Sequence, residues 1–375
     1  MILTTCAACA APLAHTAPRC VRCHVRYCDA TCQHDHWRRG HKQICKKIHR
    51  GGNAEQYNAD KRYKEAVAVA VEACAADTKG QTCYICTQAL HWKTKEGLVR
   101  GCACRGTAGS AHVSCLTEQA KILLAEAEEN NLGTDACDER WNRWEACSLC
   151  EQRYHGVVRC ALGWACFKTY VGRPETDQPR RLAMTQLGNG LYAADHHEDA
   201  VSVTETELAV MRRLGAPPDH MLGVQANLAS TYQRLGKYDE ALRVRRDVYS
   251  GRLKLQGGEH PRTCIAANNY ASSLISLQRF KEAKELLRKT TPVARRVLGE
   301  SSENTLNVRL NYAAALHNNE GATLEDLREA VTTFEEAERI ARRVLGGAHP
   351  MTVGIGEPLR LARAALRARE TPGSA

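Results

Sequence analysis

The chain has 375 residues, enough for two or three domains. Hydrophobic residues make up 43% and charged residues 25%, ordinary for a globular chain, and the longest apolar-leaning run, 66–71, is far short of the ~20 residues a spanning helix needs. This argues against a membrane-embedded protein, and the opening Met-Ile-Leu-Thr-Thr-Cys lacks the long apolar core of a signal peptide. Net charge is +10 with cysteine counted as neutral, and nineteen cysteines are the unusual number. Such a count means disulfides or metal, and spacing decides between them.

Seven cysteines lie in residues 6–45, eleven in 74–166, and only Cys264 beyond. This split places a domain boundary after residue 166. The first cluster reads Cys6-x-x-Cys9, Cys20-x-x-Cys23, Cys28-x-x-x-Cys32 and His41-x-x-x-Cys45. A Cys-x-x-Cys turn brings two sulfurs onto one tetrahedral ion, and i, i+4 pairs share a helix face. Four pairs make two structural zinc sites. Disulfides are the alternative, and the lack of a secretion signal weighs against them.

Cys28-Asp-Ala-Thr-Cys32-Gln33, followed by Trp37, His41 and Cys45, resembles a MYND zinc finger, here spanning 1–50. The resemblance implies interleaved ligation, with Cys6, Cys9, Cys28 and Cys32 on one zinc and Cys20, Cys23, His41 and Cys45 on the other. It also implies that short proline-containing peptides bind against Gln33 and Trp37; packing in a tiny core is the other role open to Trp37. Residues 1–50 carry nine Lys/Arg against two Asp/Glu, with Arg38, Arg39, Lys42, Lys46 and Lys47 crowded at the C-terminal end. Without interleaved aromatics this reads as a solvated basic face rather than a phosphate-binding one.

Residues 51–82 read as a linker, with a helix from Glu55 to Ala76 stopped by Lys79-Gly80. Cys74 has no metal partner at a usable spacing and reads as a buried thiol. The second cluster follows: Cys83-x-x-Cys86, Cys102-x-Cys104, His112-x-x-Cys115 and Cys147-x-x-Cys150. Four Cys, one His and three Cys, with Ile85 before Cys86 and the run from Gly101 to Gly106, resemble a RING-CH finger, here spanning 83–166. The resemblance implies a cross-brace: Cys83, Cys86, His112 and Cys115 on one ion, Cys102, Cys104, Cys147 and Cys150 on the other. It further implies that Ile85 contacts a ubiquitin-conjugating enzyme. Three departures stand out. The 31-residue gap from Cys115 to Cys147 is long and holds a helix over 116–130; Gln119 stands where family members often carry Trp, with Trp141 or Trp144 available to fill the space; and Glu151 stands where ubiquitin ligases often carry a basic residue. Cys137, Cys160 and Cys166 are too irregularly spaced for a fifth ion and read as packing residues.

Beyond residue 183, Asn227-Leu-Ala, Asn269-Tyr-Ala and Asn311-Tyr-Ala recur every 42 residues, as do Gly215, Gly257 and Gly299; the next glycine, Gly346, comes 47 on, with the extra five residues in a loop at 318–324. A period this long marks stacked helical hairpins. Val224, Leu228, Tyr232 and Leu235 form one helical stripe, and Ala241, Val244 and Val248 line the second helix. A fainter unit begins at Ala183 and a closing helix runs from Pro358 to Arg369. The pattern over 183–369 resembles kinesin-light-chain-type tetratricopeptide repeats. That implies a concave peptide-binding surface on which Asn227, Asn269 and Asn311 bond extended backbone, unless they bridge helices within the solenoid.

The expected fold is therefore multidomain: two small zinc-stabilised cross-brace domains followed by an all-α TPR solenoid, holding four Zn2+ ions. Counting the thiolates lowers the charge from +10 to about +4, which argues against nucleic acid as a partner. No phosphate-binding loop or nucleophile elbow appears. The second zinc cluster occupies the space a MYND-type methyltransferase would need. The expected function is a soluble RING-CH-type ubiquitin ligase recruiting substrate through MYND and TPR surfaces; the alternative is a non-enzymatic adaptor or scaffold. Fourteen ligand thiolates point to a reducing compartment, cytoplasmic or nuclear.

Overall fold

The computed structural model describes residues 5–370, apart from 12, 14, 15, 105–107 and 348. The described residues form fifteen α-helices and no sheet, with three isolated bridges, and none of these helices is long and apolar enough to cross a membrane. The chain divides into two compact units, Met1–Ala216 and Pro217–Ala375.

The first unit begins with zinc-knuckle turns. In each of the four Cys-x-x-Cys turns the residue after the second cysteine has a positive φ: Ala10 at 62°, His24 at 62°, Thr87 at 61° and Glu151 at 56°. The bridges Arg19–Arg26 and Ala146–Arg153 close two of these turns. Asp29 caps α1 (Ala30–His36) by accepting from Cys32 N at 2.8 Å. A π-type turn, Trp37–His41, kinks at Gly40, whose φ of 125° only glycine adopts easily, and leads into α2 (Lys42–Arg50). Asn53 caps α3 (Ala54–Ala73). This helix ends earlier than the alanine-rich run suggests: Thr78 turns back, its hydroxyl donating to Cys74 O at 2.9 Å, and forms the turn that leads to Gly80.

The long gap in the second cluster folds as α4 (Val113–Glu129), α5 (Thr134–Trp141) and a short 3-10 turn, Asn142–Trp144. Trp141 and Trp144 are buried against Tyr170, with ring centroids 5.6 and 5.8 Å away. The centre of the unit is α6 (Gly156–Tyr170), buried along Cys160–Phe167. On it packs α7 (Gln178–Ala193), followed by α8 (His197–Arg213). The α6–α7 approach depends on two glycines. A Cβ at Gly163 would lie 2.9 Å from Gln186 O, and one at Gly190 would lie 2.8 Å from Arg159 O. The helix pair expected as a faint first repeat, α7 and α8, thus belongs to the compact unit that holds the zinc ligands.

The second unit is a succession of hairpins: α9 (Pro218–Arg234) with α10 (Tyr238–Gln256), α11 (Pro261–Ser276) with α12 (Phe280–Leu298), and α13 (Glu303–His317) with α14 (Leu324–Val344), closed by α15 (Pro350–Glu370). Gly257, Gly299 and Gly346, the spaced glycines, follow the second helices with φ of 79–90°. The extra residues after His317 form a loop that ends in a capping box between Thr323 and Asp326. Leu274, Leu287, Leu306, Leu316, Phe334 and Ile340 share one continuous core with small residues such as Ala283 and Ala313. α15 starts eight residues before Pro358, which sits inside the helix and leaves the Gly354 carbonyl without its usual i+4 donor.

Candidate metal centres

Sixteen Cys and His side chains converge in four groups: Cys6, Cys9, Cys28 and Cys32; Cys20, Cys23, His41 and Cys45; Cys83, Cys86, His112 and Cys115; Cys102, Cys104, Cys147 and Cys150. Within each group the ligand atoms lie within 4.8 Å of one another. In both fingers the first and third pairs share one group and the second and fourth share the other, so ligation is interleaved. The separations match a tetrahedron. Sulfur–sulfur distances are 3.5 Å for Cys9–Cys28, 3.7 Å for Cys20–Cys45 and 3.8 Å for Cys104–Cys147. A Zn–S bond of about 2.3 Å gives tetrahedral edges of about 3.8 Å, whereas a disulfide needs about 2.0 Å. All the cysteines are free thiols.

The two histidines use different nitrogens. His41 Nε2 lies 3.3 Å from Cys23 Sγ, and its ring stacks on His36 at 4.8 Å. His112 aims Nδ1 at Cys86 and Cys115, at 3.4 and 3.6 Å, while Nε2 faces Ala89 O at 3.4 Å. That carbonyl selects the tautomer that leaves Nδ1 free to ligate.

Electrostatics call for a cation. Burial and the adjacent Cys6 and Cys9 thiols push Cys32 up to about 12. Burial, reinforced by Cys20, pushes Cys23 up to about 12 as well, and burial raises Cys102 and Cys115. Burial also opposes ionisation of Cys6, but backbone N–H groups, including those of Ala8 and Cys28 at 3.4 Å, hold it down to about 6. Thiols packed this closely cannot all ionise beside one another unless a divalent ion compensates their charge. Sulfur and imidazole donors at tetrahedral spacing suit zinc, and the four tetrads fit four Zn2+ ions.

Cys74, Cys160, Cys166 and Cys264 are buried in apolar surroundings, and none of them, nor Cys137, joins a tetrad. Arg105 and Gly106, part of the RING-CH-like run, lie outside the described residues. Trp37 is 39% exposed with its ring edge on His41, Gln33 is half-buried, and Ile85 is 37% exposed. Asn227 is exposed on α9; Asn269 and Asn311 are half-buried on α11 and α13. The Asn311 side chain donates from Nδ2 to Asn268 Oδ1 at 2.9 Å and ties α13 to α11, whereas Asn269 offers only its backbone carbonyl, which accepts from Arg245 at 3.2 Å.

Residues 91–96 form a knuckle-shaped turn without thiols, which cysteine spacing does not mark. His91 N donates to Glu96 O at 3.0 Å and Lys95 N to His91 O at 2.9 Å, as Cys83 N does to Gln88 O and Thr87 N to Cys83 O. Lys95 has a φ of 58°, and Thr94 donates to His91 Nδ1 through both N and Oγ1. The signal was His91-x-x-Thr94, with the ligand pair replaced by an internal hydrogen bond.

Residues 6–45 match the family model for the MYND finger, and residues 220–294 match one for the tetratricopeptide repeat. No curated protein matches the chain significantly. Among solved structures, kinesin light chain TPR-like repeats from Podosopora anserina are similar at 18% identity with a TM-score of 0.42, over 62% of this chain and 98% of that one. BtubC from P. vanneervenii is similar at 15% identity with a TM-score of 0.41, over 69% and 90%. The chain carries a MYND zinc finger and a tetratricopeptide-repeat solenoid, modules that generally mediate protein interactions, and between them a second pair of tetrads that fit zinc.

Proposed function

We propose that the chain recruits protein partners through its MYND finger and its repeats, and that the second cross-brace is a RING-CH-type module seating a ubiquitin-conjugating enzyme. The observation that carries the second half is the pairing of two exposed aliphatic residues at the tips of two zinc loops. Ile85 and Leu149 each precede the second cysteine of a Cys-x-x-Cys turn, and Leu149 is 52% exposed. The loops are tied together by Tyr84 Oη and Ser148 Oγ at 3.1 Å. Such a module needs no covalent catalytic residue. It holds the conjugating enzyme's thioester in a reactive geometry while the incoming amine attacks, a positioning effect.

In this reading Gln33 and Trp37 contact a proline-containing peptide, and Asn227, the exposed member of the asparagine series, contacts extended backbone in the solenoid. Thiolate ligands suit a reducing compartment, cytosol or nucleus. The test is discharge of ubiquitin from a panel of charged conjugating enzymes by the zinc-loaded full chain. Activity should fall at least about tenfold in Ile85→Ala and in Leu149→Ala, with zinc content unchanged.

A second reading, a non-enzymatic scaffold, is favoured by Glu151. This exposed carboxylate, held at a φ of 56°, stands where a ligase would present a cation to ubiquitin. Inactivity of the wild type with every conjugating enzyme would decide for the scaffold.

A further inference from the structure

The MYND finger carries an unusual imbalance of charge pairing. Its described residues contain two carboxylates. Asp29 is used as the cap of α1, and Asp35 pairs with Arg39 at 3.1 Å. Arg38, Lys42, Lys46, Lys47 and Arg50, all exposed, make no ion pair among the described residues. In the repeats, by contrast, arginine after arginine is engaged, as in Arg309 with Glu300 and Glu336 or Arg328 with Glu370.

The same short segment exposes apolar surface. α2 buries Cys45 and Ile48 and leaves Ile44 44% exposed. Seven residues earlier stands the exposed Trp37, and between them lies Gly40. A Cβ built on Gly40 would meet nothing within 4 Å, so the backbone there is bare and open. Trp37 stands before the Gly40 kink and Ile44 on α2 beyond it, so two exposed apolar side chains flank the bend. From Ile44 the same helix continues into the uncompensated cations Lys46, Lys47 and Arg50.

We infer that the peptide site of the MYND finger extends along α2 and selects ligands in which an acidic tract adjoins the apolar, proline-containing core. This rests on the reading of Gln33 and Trp37 as peptide contacts and adds the chemistry of the flank. Ile44 is the second apolar contact, across Gly40 from Trp37. Lys46, Lys47 and Arg50 face the ligand's carboxylates. An acidic peptide suits the surface better than nucleic acid, because Trp37 is the one Phe, Tyr or Trp on 30–50 and a stacking platform needs several rings.

The test uses the zinc-loaded full chain and labelled peptides with a Pro-Pro-Leu-Pro core followed by four glutamates, four glutamines or four lysines, read by fluorescence anisotropy. The glutamate peptide should bind at least about tenfold tighter than the glutamine peptide at low salt, with the gap closing near 0.5 M salt. Lys46→Glu combined with Lys47→Glu should reverse the preference in favour of the lysine peptide. Both residues are exposed, so zinc content and secondary structure should not change. Ile44→Ala should weaken the glutamate and glutamine peptides alike.

Equal binding of the glutamate and glutamine peptides would overturn the inference and leave the proline-peptide reading standing. Binding of no peptide would overturn both. Displacement of the glutamate peptide by a short oligouridylate at lower concentration than by unlabelled peptide would overturn it in favour of nucleic acid.

Discussion

The MYND finger and the repeat solenoid reach stability by opposite routes. The buried cluster of the finger consists of Cys6, Cys20, Cys23, Val25, Tyr27, Cys45, Ile48 and Ala54, so half of it is metal ligand. Without ions, four side chains remain to offset the chain entropy of some fifty residues, and they cannot. The repeat core has Leu274, Leu287, Leu306, Leu316, Phe334 and Ile340 in continuous contact, with Cys264 its one thiol. There each hairpin buries its stripe against the next. A small domain can thus replace apolar area with coordination bonds, whereas a solenoid spreads the same task over many weak contacts.

Removing zinc should break that comparison open with the largest effect. Each structural site contributes on the order of 10 kcal/mol to folding. Limited proteolysis in the presence of chelator should cleave within 6–45 and 83–150 while fragments covering 217–370 persist. Equal sensitivity of both regions would refute the contrast. Phe334→Ala is the complementary cut: truncating this buried ring should cost about 3–5 kcal/mol and lower the repeats' melting transition, with elemental analysis still finding four zincs per chain.

A third effect sharpens the picture within the first unit. Burial pushes the Glu207 carboxyl up to about 8, against the opposing hydrogen bond from the Thr185 hydroxyl and the charge of Arg181. Between the ordinary carboxylate range and that value, the folded chain keeps a proton the unfolded chain has lost. Stability therefore falls as pH rises from about 4.5 to 8. Glu207→Gln should flatten this slope and stabilise the unit at pH 8 by about 2 kcal/mol or more, measured by denaturant melts at pH 5 and 8. The smallest expected effect is Thr323→Ala, which removes the side-chain half of the capping box and should cost about 1 kcal/mol, read as a small shift confined to the repeats' transition.

The sixteen ligands are legible in the sequence because coordination dictates spacing. A Cys-x-x-Cys pair has few structural uses, and four interleaved pairs have fewer. The repeats are legible because Asn227, Asn269 and Asn311 and the glycines after each second helix keep one step. What sequence does not reveal is where the first unit ends. Gly163 and Gly190 read as weak points in helices, since glycine costs helix propensity. Their purpose, letting α6 and α7 touch backbone to backbone, appears only when both helices are seen together. Gln186, which donates to Glu145 just before the last zinc knuckle, is equally silent in a linear reading. The bond from Asn311 to Asn268, which links α13 to α11, is likewise invisible in the repeat spacing.

The glycine-mediated seam between α6 and α7 has a practical corollary for anyone dividing this chain into pieces. A fragment trimmed at residue 166, where the cysteines stop, would sever α6 before its final turn. It would also strip away Leu187 and Leu191, fully enclosed residues of the shared core, and leave Leu162 and Trp164 facing water. Such a piece would aggregate even with all its zinc in place, whereas a cut after Ala216 leaves the seam closed.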